Sequence, residues 1–152
     1  MDTTHLMDNY YENDLYSFDV NYPAAEWRNY KLAENNFVNL NSGQGYLYYY
    51  VNATGTWPGY AWPTANASKE IALDYNADHA YFPGANLIGN PYIVKGYPDK
   101  DFFVLNGDGD EVILSEDKNY VKAGKGFFVL ATEPGQTCTV STTDPNDRTQ
   151  SL

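Results

Sequence analysis

Nowhere in the 152-residue chain does an apolar pattern hold helical spacing beyond about two turns, and this limits the fold more than any other feature. Rings and aliphatic side chains come instead in short runs, each closed by glycine, proline, asparagine or aspartate. Gly45–Asn52 (GYLYYYVN), Phe102–Leu105 (FFVL), Gly126–Ala131 (GFFVLA) and Gln136–Ser141 (QTCTVS) are such runs. Aromatic and β-branched side chains suit a pleated, half-buried surface, and the punctuating residues suit tight turns. The pattern predicts an all-β domain: an antiparallel β-sandwich of jelly-roll type, with about nine to eleven short strands and little or no helix.

Strands are expected at Leu15–Val20, Glu26–Leu32, Asn36–Leu40, Gly45–Asn52, Ile71–Tyr75 and Asn86–Val94. The last is interrupted at Gly89-Asn90-Pro91, because proline cannot donate a ladder hydrogen bond. Phe102–Leu105 and Glu111–Leu114 read as one hairpin, Asn119–Lys122 and Gly126–Ala131 as another. In Gln136–Ser141, Cys138 and Val140 alternate with Thr137, Thr139 and Ser141, which marks a strand with one buried face. Asp78–Gly84 reads as a turn, residues 53–67 as a long loop, and residues 24–34 as the only stretch that admits a helix. In domain terms, 1–14 is expected to be a flexible N-terminal segment, 15–141 a single domain, and 142–152 a tail or linker stub.

Nine Lys and Arg face twenty Asp and Glu, a formal net charge of −11. Such a field repels phosphate backbones, so nucleic acid is not an expected partner, and anionic membrane surfaces are disfavoured for the same reason. No apolar run approaches the roughly 20 residues that span a bilayer, so direct membrane insertion is not expected. The first residues, MDTTHLMDNYYEND, lack the basic and apolar regions of a signal peptide, which reads either as a cytosolic chain or as a mature piece of a longer one. The single cysteine, Cys138, has no partner for an internal disulfide and reads as a small buried apolar residue.

Two stretches repeat one another. Asn36 opens NFVNLNSGQGYLYYYV, and Asn119 opens NYVKAGKGFFVL. Both run from Asn-aromatic-Val to Gly-x-Gly and then to a row of rings and aliphatics, with Gly43 and Gly45 matching Gly124 and Gly126. Similar units in one chain imply related places in two halves of one fold. The glycines would supply a positive φ or a close backbone approach. The row of tyrosines at 46–50 could be a sugar-binding platform or a core strand. The match with Phe127–Ala131 assigns most of these rings to the interior, in strands covered on both faces.

Four phrases in fixed order resemble modules of exported Bacteroidetes-type surface proteins. They are Gly45-Tyr46-Leu47-Tyr48, Ala85-Asn86-Leu87-Ile88-Gly89-Asn90-Pro91-Tyr92, Phe102–Gly109 and Val121–Val129. The second is similar to the W-N-L-V-G-N-P-F phrase of those modules, with Ala85 in place of the tryptophan. The fourth is similar to their I-x-P-x-x-G-F-F-V phrase, with Ala123-Gly124 in place of the proline-containing turn. The resemblance covers residues 36 to 141. It implies a β-sandwich-like, non-catalytic module that is extracellular or at the cell surface as a fragment of a larger exported protein.

Candidate sites are few. Trp57, Tyr60 and Trp62 lie in a segment whose prolines keep it out of central strands; exposed, these rings would stack on sugars or anchor a protein partner, and folded back they would cover an end of the sandwich. Asn106, Asp108 and Asp110 place oxygens at alternate positions, as the start of a calcium loop does. Glu111 stands where an EF-hand needs glycine and Asp117 where it needs glutamate, so a solvated hairpin turn is the better reading; a looser calcium site would draw on Asp99 or Asp101. His5 and His79 are too isolated to suggest zinc. No nucleophile elbow or phosphate loop is present in the sequence, and no carboxylate pair is marked by an apolar setting, which leaves a glycoside hydrolase as the weakest reading. The expected function is a structural or adhesive module whose partners are glycans or surface proteins, with a carbohydrate-binding module as the alternative. No cofactor other than calcium is suggested.

Overall fold

A computed structural model of the chain describes residues 13–22, 26–35, 40–50, 66–105, 112–114 and 119–146. Among these lie ten strands: β1 (Asn13–Phe18), β2 (Trp27–Asn29), β3 (Tyr46–Tyr50), β4 (Ser68–Ala72), β5 (Ala85–Gly89), β6 (Tyr97–Pro98), β7 (Phe103–Leu105), β8 (Val112–Leu114), β9 (Gly126–Leu130) and β10 (Thr137–Ser141). The fold is all-β, and every strand pairing is antiparallel. The strands form three sheets, ordered β2-β1-β3, β4-β10-β6 and β5-β9-β7-β8.

The geometry turns on Leu87–Asn90, which is held from both sides by the repeated Gly-x-Gly units. On one side the Gly45 amide donates to Leu87 O (2.9 Å) and the Gly89 amide to Gly43 O (3.0 Å), with Gln44 bridged to Ile88. On the other, Ile88 and Gly89 pair with Phe127 and Gly126 of β9, and the Asn90 amide donates to Lys125 O at 3.0 Å. Gly43 and Gly124 hold the positive φ expected of them, at 92° and 67°. Gly45 meets the other requirement: a Cβ there would stand 2.6 Å from Leu87 Cγ and 2.7 Å from Ile88 O. Sequence similarity between the units thus corresponds to one shared task, gripping opposite edges of the same strand.

Asn90 completes the lock. It is buried, and its amide nitrogen donates to Val94 O (2.9 Å), Val121 O (3.1 Å) and Lys122 O (3.1 Å) while Oδ1 accepts from the Tyr92 amide (3.1 Å). Asn86, at the other end of β5, closes on Asp74 and Gly84 in the same manner. Among the described residues no buried side-chain nitrogen or oxygen lacks a partner. Buried amides placed this way tie the carbonyls of neighbouring segments to the two ends of β5.

One core cluster joins β4–β10 to the four-stranded sheet, with Leu73, Cys138 and Val140 meeting Ile88, Phe102, Phe127 and Val129. Cys138 and Val140 face inward as the alternation predicts. A smaller cluster gathers Leu15 and Tyr30 with Leu40, Tyr46 and Tyr48. Phe18, Trp27 and Phe128 meet edge to face at centroid distances of 5.1–6.3 Å and tie the first sheet to β9.

Several expectations are corrected. The tyrosine strand is not covered on both faces: Tyr46 and Tyr48 turn inward, opposite Ser17 and Leu15, whereas Leu47 and Tyr49 are exposed. In β9, Phe127 and Val129 are buried and Leu130 is half exposed. Both runs therefore obey the pleat, and their outward rings and aliphatics face solvent or a neighbouring edge. Val121 bridges Gly96 instead of forming a hairpin with β9, whose sides are taken by β5 and β7. β4 begins at Ser68, directly after the expected loop and three residues before Ile71. The stretch that admits a helix holds β2 and a 3-10 turn at Ala33–Asn35. β1 starts at Asn13, and Thr142 donates through both its amide and its hydroxyl to Ala67 O, so ordered structure runs past each expected domain boundary. The β7–β8 hairpin is found as expected.

Candidate functional site

Two features concentrate chemistry on the surface. The first is the loop joining β4 to β5. Asn76 Oδ1 accepts from the Asp78 amide (3.1 Å), an arrangement that asparagine adopts readily in turns, and the His79 amide donates back to Asn76 O at 3.0 Å. The Asn76 amide closes the loop on Pro83 O (2.7 Å), and its side chain reaches Val20 O (3.0 Å) at the end of the β1 segment. His79 caps the tip: Nδ1 accepts from the Phe82 amide (2.9 Å) and the Tyr81 amide (3.3 Å). Nδ1 is thereby the acceptor nitrogen, and Nε2 carries the proton that points at Glu26 Oε1, 3.0 Å away. Below the tip, Gly84 approaches β9 so closely that a Cβ would fall 1.8 Å from Ala131 O.

This rigid frame displays two uncovered rings. Tyr81 is 80% exposed and Phe82 55%, with centroids 6.3 Å apart. The sequence carried the signal, two adjacent rings ahead of Pro83-Gly84 in a polar turn, but the stretch reads as connection until the hydrogen bonds fixing it are seen.

The second feature is an apolar cleft of about 490 Å3 between the first and third sheets. Leu47, Leu87 and Phe128 contribute to its lining, together with Trp27, Lys122 and Lys125. Next to it, the Lys95 ammonium sits 4.2 Å from the centre of the Tyr120 ring.

The sequence-predicted residues Trp57, Tyr60 and Trp62, and Asn106, Asp108 and Asp110, lie outside the described residues. Asp99, the proposed helper for calcium, accepts from the Thr139 amide at 2.8 Å. Among the described residues no group of three or more His, Cys, Asp or Glu comes together. Cys138 is fully buried; that burial, reinforced by the Asp99 carboxylate, pushes its thiol up to about 12, far from the thiolate a nucleophile requires. Burial also raises Asp74, with repulsion from Asp19 adding to it.

Compared with protein-family models, curated proteins and solved structures, the chain matches none.

Proposed function

We propose that the chain is a non-catalytic structural or adhesive module of an exported or cell-surface bacterial protein, and that it meets its partner through the Tyr81–Phe82 loop. One observation carries the reading: two exposed rings stand on a loop already fixed by hydrogen bonds from Asn76 and His79. A preformed loop loses little conformational freedom on binding, and aromatic anchors dominate the energetics of protein contacts. The four phrases shared in order with exported surface modules support the location.

Carbohydrate binding is the second reading, since Tyr81 and Phe82 present faces on which sugars stack and Trp57, Tyr60 and Trp62 would extend such a platform. The test is to probe arrayed glycans and arrayed extracellular proteins with the labelled domain, as wild type and as Tyr81→Ser/Phe82→Ser. A partner whose affinity falls about tenfold or more in the double variant supports the proposal. Equal binding by both proteins to every partner found, or no partner on either array, defeats it. A glycan partner lost in Trp57→Ala/Trp62→Ala selects the carbohydrate reading.

A further inference from the structure

The cleft between the first and third sheets carries a charge opposite to that of the chain. Acidic residues outnumber basic ones by twenty to nine, yet among the described residues lining the cleft there is no Asp or Glu, and there are two lysines. Lys122 and Lys125 are both exposed, and among the described residues neither belongs to an ion pair. They flank the turn at Gly124, which β9 and its pairing to β5 hold in place, and the Lys125 amide donates to Lys122 O at 3.2 Å. Beside the two lysines the lining is mostly apolar, with Leu47, Leu87 and Phe128 contributing. Its volume of about 490 Å3 falls within the usual range for small-molecule sites.

We propose that this cleft binds a small anionic amphiphile, an apolar body bearing one carboxylate, with the body against Leu47, Leu87 and Phe128 and the carboxylate between Lys122 and Lys125. Apolar burial supplies the attraction, and the paired ammonium groups select the sign of the head group. A cation of the same shape gains the apolar contact and meets like charge. An uncharged sugar gains neither full apolar burial nor charge pairing. The site is separate from the Tyr81–Phe82 loop and stands or falls independently of it.

The test uses decanoate, below its micellar concentration, as the probe, with decyltrimethylammonium as the control of equal tail and opposite charge. Titration calorimetry of the whole domain is paired with backbone amide NMR. Decanoate is expected to saturate one site, to shift the amides of Lys122–Phe128 and Leu87, and to bind roughly tenfold tighter than the cation. Lys122→Glu/Lys125→Glu is expected to reverse that preference while leaving the urea midpoint unchanged, since both side chains are exposed. Saturation by decanoate that the double exchange leaves intact, equal affinity for both amphiphiles, or no saturation overturns the proposal. Should the double exchange lower the urea midpoint, Lys125→Gln alone is read in its place, with a severalfold loss of decanoate affinity expected and unchanged affinity counting against the site.

Discussion

Replacing Asn90 tests the lock at the end of β5. Its two amide hydrogens are shared among the carbonyls of Val94, Val121 and Lys122, and its oxygen accepts from the Tyr92 amide. A buried hydrogen bond contributes about 1 kcal/mol net, and a buried group left without a partner costs about 1–3 kcal/mol. Asn90→Ala removes every one of these contacts; the Val121 and Lys122 carbonyls keep backbone donors from Gly96 and Lys125, and Val94 and Lys122 are exposed to water. The expected loss is about 3–4 kcal/mol, a large share of the roughly 5–15 kcal/mol that holds a domain of this size. Asn90→Asp keeps the shape and the Tyr92 contact but turns an oxygen toward three carbonyl oxygens, so at pH 7 it is expected to cost at least as much as alanine. Urea unfolding followed by far-UV circular dichroism, with linear extrapolation, measures both. If both variants stay within about 1 kcal/mol of wild type, or if aspartate is much the milder change, the amide is not bonded as described.

Three further outcomes are expected. Gly45→Ala must displace Leu87 or the Ile88 carbonyl, whereas an added Cβ at Gly124 meets nothing within 4 Å; urea midpoints are expected to show Gly124→Ala losing about 1–2 kcal/mol for its left-handed backbone and Gly45→Ala clearly more. Cys138 is expected to resist an aromatic disulfide reagent at pH 8 until denaturant is added, and stability is expected to fall as pH rises from the thiol's ordinary 9.0 toward about 12, because only the unfolded chain releases the proton there; Cys138→Ala removes up to about 1.4 kcal/mol per pH unit from that slope. Asp74 has a raised folded value, so its ionisation disfavours the fold above that value and has no effect below the ordinary 3.8, where folded and unfolded chains are both protonated; Asp74→Asn is expected to raise the thermal midpoint at pH 7, with the gain vanishing below about pH 4.

What was legible in the sequence was local. The Gly-x-Gly pairs announced a positive φ or a close approach, and the structure uses Gly43 and Gly124 for the first and Gly45 for the second. Gly89-Asn90-Pro91 marked a break in a strand expected to run on to Val94, but β5 stops at Gly89 and no strand resumes over 90–94. Partner choice was not legible, because it depends on which edge remains free in three dimensions. Val121 looks like the first arm of a hairpin, yet β9 is occupied on both sides and Val121 turns to Gly96. β6 has only two residues, one of them Pro98, and reads as loop in any local pattern. β4 hides its alternation because Lys69 shares the half-buried face with Ile71 while the apolar Ala72 lies on the exposed face with Ser68 and Glu70. The tyrosine row misled because its continuous apolar character suggested burial on both faces, whereas β3 ends a sheet in the order β2-β1-β3 and leaves Tyr49 61% exposed. The Tyr81–Phe82 tip resembled an ordinary turn until the bonds to His79 distinguished it from one.

Scalar couplings across hydrogen bonds, read by long-range carbonyl–amide NMR, test the double grip on β5 most directly. The account predicts correlations from the Gly45 amide to the Leu87 carbonyl, from the Gly89 amide to that of Gly43, and from the Asn90 amide to that of Lys125. A spectrum that joins the Gly89 or Gly45 amide to any other carbonyl would contradict it.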